Sequence, residues 1–178
     1  MSGGGSQTLI LAGVCISLQH RPLFPPLNLT VHPGEVVTVM GPSGCGKSTL
    51  LSYVCGTLAP AFQAEGAVRL GGRDLAGLPL ERRRVGILFQ DALLFPHLSV
   101  AENLAFGLPS GLSRRERQRR VADALLDAEL AGLGGRDPAM LSGGQRARVA
   151  LLRTLLSEPE ALVLDEPFSR LDAGLRAR

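Results

Sequence analysis

The stretch Gly41-Pro42-Ser43-Gly44-Cys45-Gly46-Lys47-Ser48-Thr49 constrains this chain more than anything else in it. Glycine, four residues, glycine, lysine and a hydroxyl residue is the spacing of a phosphate-binding loop set between a strand and a helix. Both flanks fit. Val36-Val37-Thr38-Val39-Met40 is a β-branched run suited to a buried strand, and the chain from Ser48 through Thr49-Leu50-Leu51 to Cys55 suits a helix. The glycines let the backbone curl with its N–H groups inward, and the helix adds its positive N-terminal end, so fixed donors meet polyphosphate charge. Lys47 is placed to reach the β- and γ-phosphates, Ser48 to offer its hydroxyl to Mg²⁺, and Thr49 to meet the α/β-phosphates. Strand, loop and helix in this order predict an α/β core.

Lys47 is also the only lysine. The chain has 178 residues and 19 Lys+Arg, and every other basic residue is Arg, so one compact ammonium is kept where phosphate would meet it. A net charge of +3, opposed by 16 Asp+Glu, is too small to argue for nucleic-acid binding. The runs Arg82-Arg83-Arg84 and Arg114 to Arg120 carry no interleaved aromatic residues for base stacking and read as solvated surface. Three cysteines, Cys15, Cys45 and Cys55, lack metal-ligand spacing and read as reduced thiols, with no zinc site. An apolar content of 45% with 20% charged residues describes a globular domain with one core and excludes disorder and collagen. No apolar run approaches the roughly 18 residues of a membrane helix. No secretory leader opens the chain, and Ser2-Gly3-Gly4-Gly5-Ser6 reads as a flexible tail.

A second half to the phosphate site lies downstream. Leu162-Val163-Leu164-Asp165-Glu166 is a buried-strand pattern ending in two carboxylates, one to hold a metal ion and the next to orient or deprotonate an attacking water. Between the two halves, Leu141-Ser142-Gly143-Gly144-Gln145 precedes a helix with apolar positions 149, 152, 155 and 156. Ser142 is its N-cap, and a serine with two glycines at a helix start is a second anion-receiving terminus. Further strands are expected at residues 67–70 and 85–89, and helices at residues 100–106 and 113–130. No internal repeat appears.

In this order the motifs resemble those of the ATP-binding cassette (ABC) ATPases, and from about Leu9 onward the chain is similar to the ATP-binding subunit of a bacterial ABC importer. Residues 141–145 match the family's signature letter for letter. Around them stand the P-loop at residues 41–49, a Q-loop glutamine at Gln90, the Walker B strand ending at Asp165 and Glu166, and a D-loop at Ser169-Arg170-Leu171-Asp172. The resemblance implies a P-loop NTPase fold: a RecA-like α/β core, an N-terminal antiparallel β region and an inserted helical subdomain. On that reading residues 1–7 are a tail and residues 8–178 the cassette, its core at about 8–90 and 141–178 and its helical subdomain at about 91–140.

The same resemblance implies ATP and Mg²⁺ as ligands. Gly41, Pro42, Ser43, Gly44, Cys45, Gly46, Lys47, Ser48 and Thr49 would hold the nucleotide together with Gln90. Ser48, Gln90 and Asp165 would serve the metal, and Glu166, Lys47 and Gln90 would act in hydrolysis. Two copies would face head to tail, so that Ser142, Gly143, Gly144 and Gln145 of one close over the ATP on the other's P-loop; this accounts for a second anion site. The segment from Asp91 to Asn103 would offer a groove to a transmembrane permease subunit, although part of its apolar cluster Leu93, Leu94, Phe95 and Leu98 reads as core. The expected location is then the cytoplasmic face of the inner membrane, with a solute-binding protein in the assembled importer and no direct nucleic-acid partner. Residues 89–103 and 165–172 resemble importers of thiamine, polyamines, sulfate and metal ions.

The sequence departs from the family at two places. Relatives have an aromatic residue near position 18 to stack on adenine, whereas this chain reads Ile16-Ser17-Leu18-Gln19-His20-Arg21, leaving Leu18 or His20 as substitutes. The family's switch histidine lies beyond the Walker B glutamate, and His20, His32 and His97 all precede it. The chain therefore reads as a C-terminally truncated cassette. Two other readings follow: a non-hydrolytic nucleotide-binding fragment, and a soluble non-transport ABC ATPase acting on nucleic acid or ribosomes. Against the last stand a single cassette and a short segment between Gln90 and Leu141, with no room for a long coiled coil.

Overall fold

The computed structural model describes residues 7–165. Glu166 and the expected D-loop lie outside them. The described residues form two compact units, one running up to Val85 and including Glu160–Val163, the other comprising Gly86–Pro159 with Leu164 and Asp165.

The first unit is built on an antiparallel sheet whose centre is β1 (Leu9–Leu18). Along one edge β1 pairs β2 (Arg21–Pro22) and β3 (Leu27–Val31); along the other it pairs β4 (Phe62–Leu70), which in turn pairs β5 (Arg73–Asp74). The β1/β4 register runs from Leu9 opposite Leu70 to Leu18 opposite Phe62, with an irregularity between Ala12 and Cys15. A side chain at Gly66 would come within 2.5 Å of the Gly13 carbonyl oxygen, so the ladder requires glycine there. Alternation buries Leu11, Val14 and Ile16 of β1 with Val68 and Leu70 of β4, and α1 (Lys47–Cys55) adds Leu50, Val54 and Cys55 to the same interior.

Two expectations fail in this unit. Residues 36–40 form no strand, and Val36 and Met40 are 90% and 85% exposed. Among the described residues nothing hydrogen-bonds alongside them, and a β-branched run becomes a strand only where a neighbour completes its ladder. Arg83 is not solvated. It ends α2 (Leu80–Arg83) almost fully buried, and its guanidinium donates to the carbonyls of Tyr53, Val54 and Leu78 at 2.9–3.1 Å. Two of these belong to the last turn of α1, whose carbonyls lack intrahelical donors and welcome a cation. Gly56 closes α1 in the left-handed region, φ 87°, and a Cβ there would meet the Arg83 Nε at 2.5 Å. The neighbouring arginine, Arg84, is exposed and pairs with Glu160, which also holds Arg73.

The second unit is largely helical: α3 (Val100–Gly107), α4 (Arg114–Asp127), a 3₁₀ turn (Pro138–Met140) and α5 (Gly143–Leu156). Val100 and Leu104 of α3, Val121 and Leu125 of α4 and Val149 of α5 pack with Leu108, Leu130 and Leu141 into one core, and Leu94 joins it. Each helix starts on a serine whose hydroxyl accepts an N–H three residues on: Ser99 from Glu102, Ser113 from Glu116 and Ser142 from Gln145. On α4 the run expected to be solvated is so at Arg114, Arg115 and Arg119, with Glu116 bridging Arg119 and Arg120 and Arg120 reaching Glu158, but Arg117 departs from it: half-buried, its guanidinium donates to the Ala105 and Pro109 carbonyls. Hydrogen bonds from Arg119 and then Arg120 hold the Glu116 carboxyl down at about 2.

Apart from these, β6 (Val85–Leu88) and β7 (Ala161–Leu164) make a two-stranded sheet. Glu160 N–H donates to the Arg84 carbonyl before the pair and Asp165 N–H to the Leu88 carbonyl after it, so the strands run in the same direction. Among the described residues no helix is long and apolar enough to cross a membrane.

Candidate nucleotide site

The P-loop residues come together in the first unit as a turn wrapped around their own lysine. Gly44 and Gly46 take φ of 78° and 93°, the left-handed region that side chains avoid and glycine accepts. This lets the loop curl back so that Lys47 Nζ donates to the carbonyls of Gly41 and Pro42 at 2.8 and 2.9 Å, with the Cys45 sulfur 3.9 Å away. A Cβ on Gly41 would stand 2.9 Å from that sulfur, and one on Gly46 would stand 3.2 Å from Leu23 Cβ and Phe24 Cδ1. The space above Gly44 is open.

Helix α1 begins at Lys47 with Gly46 as its N-cap, without a side-chain cap and without an acidic residue in its first turn. The α-helices described in the second unit, α3, α4 and α5, all have a serine cap. The first N–H groups of a helix have no intrahelical acceptor. An N-terminus framed by glycines, with an ammonium folded beside it, is therefore suited to receive an anion from outside the chain.

The remaining site residues among those described lie in the second unit. Gln90 is exposed just beyond β6, and Asp165 stands just beyond β7, its N–H bonded to the Leu88 carbonyl at 2.9 Å. Gln90 thus follows the end of β6 by two residues, and Asp165 follows the end of β7 directly. Ser142 and Gln145 form a reciprocal capping box: the Gln145 N–H donates to Ser142 Oγ at 3.2 Å, and the Ser142 N–H donates to Gln145 Oε1 at 2.9 Å. The Ser142 hydroxyl accepts in this box and keeps its own proton to give. Nothing crowds the Cβ positions of Gly143 and Gly144, so their N–H groups stand at an open helix start.

After Gln90 the chain is pinned from two helices. Asn103 of α3, fully buried, accepts from the Phe95 N–H and donates to the carbonyls of Phe95, Leu98 and Ser99. Arg153 of α5 donates to the Leu93 carbonyl at 3.0 Å and lies 5.1 Å from the centre of the Phe95 ring. Leu94 is drawn into the core, while Leu93 stays exposed and Phe106 packs against Phe95 at 4.7 Å with its outer face open. Asn103 and Arg153 escaped the sequence reading; the one trace of them is a polar residue inside an otherwise apolar helical face.

Residues 24–169 match the ABC transporter family, and the chain belongs to it. It is 52% identical to YnjD, an uncharacterized ABC transporter ATP-binding protein of Escherichia coli (strain K12), over 94% of this chain and 77% of that protein. It is 43% identical to the Fe(3+) ions import ATP-binding protein FbpC 1 of Rhizobium meliloti (strain 1021), over 96% of this chain and 48% of the relative. With the spermidine/putrescine import ATP-binding protein PotA of Pseudomonas aeruginosa (strain UCBPP-PA14) the identity is 51% over 84% of this chain and 41% of the relative. The chain thus spans less than half the length of these two import proteins.

Proposed function

We propose that this chain is the ATP-binding and ATP-hydrolysing subunit of an ABC importer, working as a head-to-tail dimer against transmembrane permease subunits. The observation that carries the proposal is the P-loop geometry: glycines in the left-handed region, an uncapped helix start and a lysine folded onto the loop's own carbonyls. A triphosphate would take the ammonium from those carbonyls and give it a fully charged partner.

Gly41, Pro42, Ser43, Gly44, Cys45, Gly46, Lys47, Ser48 and Thr49 would surround the phosphates. The oxygens of Ser48, Gln90 and Asp165 are the hard donors Mg²⁺ prefers, and the ion would spread the phosphate charge. Glu166, next in sequence to Asp165, would orient the attacking water and Gln90 would sense the γ-phosphate. Ser142, Gly143, Gly144 and Gln145 would meet the ATP of a second copy, the Ser142 proton and the Gly143 and Gly144 N–H groups serving as donors. The exposed Leu93 and the Phe95–Phe106 pair, fixed by Asn103 and Arg153, suit an apolar docking face for a permease helix, with the protein at the cytoplasmic face of the membrane and a solute-binding protein outside. The names of FbpC 1 and PotA favour import of a cation or polycation.

The test is Glu166→Gln, which removes the carboxylate and keeps the shape. In this variant MgATP should drive the monomer into a long-lived dimer, read by light scattering, with phosphate release lost. A variant that still hydrolyses at the wild-type rate would refute the assignment of Glu166.

A further inference from the structure

Gln90 stands in a short loop that is held, before it and after it, by neighbouring residues of one helix, α5. Three residues before it, the Ile87 carbonyl of β6 lies 3.4 Å from the Thr154 hydroxyl, which also donates to the Ala150 carbonyl at 3.0 Å. Three residues after it, the Leu93 carbonyl accepts from the Arg153 guanidinium at 3.0 Å. Arg153 and Thr154 are adjacent, so the loop departs from α5 and returns to it at one place. All of these residues belong to the second unit.

The returning end needs its hold. Leu93 takes φ 42°, in the left-handed region that a residue with a Cβ disfavours, so this turn persists only where its surroundings sustain it. The Arg153 bond to the Leu93 carbonyl supplies that support. The guanidinium is half-buried and lies over the Phe95 ring, 5.1 Å from its centre, so its cation meets a carbonyl dipole and a π face. The helix behind it is fixed as well. A Cβ on Gly107 would stand 2.1 Å from the Arg153 carbonyl oxygen, so the end of α3 meets α5 backbone to backbone at this level.

We propose that Arg153 is a positioning residue of the nucleotide cycle: by holding Leu93 in its left-handed turn, it fixes the loop that presents Gln90. Helix α5 is capped by Ser142, and Arg153 stands roughly 16 Å along it at the rise of an α-helix. One helix thus carries the signature cap at its start and the grip on Gln90 further on. The residue proposed for the γ-phosphate on this chain's own P-loop and the residue proposed for the second copy's ATP are set by the same element. Thr154 is the weaker hold, since its hydroxyl is shared with Ala150. The inference rests on the roles proposed for Gln90 and Ser142 and adds what places Gln90.

The test uses the Glu166→Gln chain, with light scattering giving the MgATP concentration at half-dimerisation. Adding Arg153→Met, which removes the donor and keeps the length, should raise that concentration about fivefold or more. Arg153→Lys, which keeps a charged donor, should recover part of the loss. In a Gln90→Ala background Arg153→Met should add nothing, because the two act through one contact. Arg117→Met, which takes an arginine of the same unit off the Ala105 and Pro109 carbonyls, should cost stability in urea and leave dimerisation unchanged. Undiminished dimerisation in Arg153→Met would overturn the proposal. So would a full further loss in the Gln90→Ala background, or an equal loss in Arg117→Met, either of which would reduce Arg153 to a structural role. A Glu166→Gln chain that MgATP does not dimerise would sink the nucleotide reading itself, an outcome separate from any effect of Arg153.

Discussion

Arg83 carries three backbone carbonyls on one guanidinium, two of them at the end of the helix that begins in the P-loop. Its charge is met by dipoles, and it lies close to Cys55, whose thiol burial pushes up to about 11 despite the opposing pull of Arg83. A raised thiol pKa keeps the folded state protonated while the unfolded chain ionises. Stability from this source is complete below the ordinary thiol value of 9.0 and falls as pH rises toward about 11. Urea unfolding followed across that window should show the loss, and near its lower end iodoacetamide should label the half-buried Cys15 and Cys45 while sparing Cys55. Labelling of all three at one rate would contradict the buried placement. The place of Lys47 in the glycine loop was legible in the sequence because it is fixed by spacing to adjacent glycines. Arg83 was not, because its carbonyl partners at Tyr53 and Val54 lie far off in sequence and no local pattern announces them.

At the scale of elements the helices divide by how they start. Ser99, Ser113 and Ser142 cap their helices, whereas α1 has only Gly46. Replacing a serine cap by alanine costs about 1 kcal/mol. Ser99→Ala and Ser142→Ala should therefore destabilise the fold by similar amounts in urea, yet Ser142→Ala alone should weaken MgATP-driven dimerisation, because only that cap belongs to the signature. Equal effects on dimerisation would make Ser142 an ordinary cap. Helices were readable from their caps and apolar periodicity, and Ser113 and Ser142 start theirs at the expected positions. The strand expected at residues 36–40 was not, for a physical reason: a helix satisfies its backbone within the segment, while a strand depends on a neighbour the segment does not contain. The pairing of Leu18 with Phe62 was hidden for the same reason, since register is a property of two strands together.

For the molecule as a whole, the residues proposed for the nucleotide fall in both units: residues 41–49 in one, and Gln90, Asp165 and residues 141–145 in the other. The spacings of residues 41–49 and 141–145 were legible because each is a local pattern, and family membership follows from residues 24–169. The central claim concerns the first contact with the nucleotide, a triphosphate gripped by residues 41–49. Isothermal titration calorimetry with MgATP, comparing the wild-type chain with Lys47→Ala, measures it most directly. The account predicts saturable binding to the wild-type chain that falls at least about tenfold, corresponding to about 1.4 kcal/mol, when the ammonium is removed. Equal affinities in the two proteins would place the nucleotide elsewhere and contradict it.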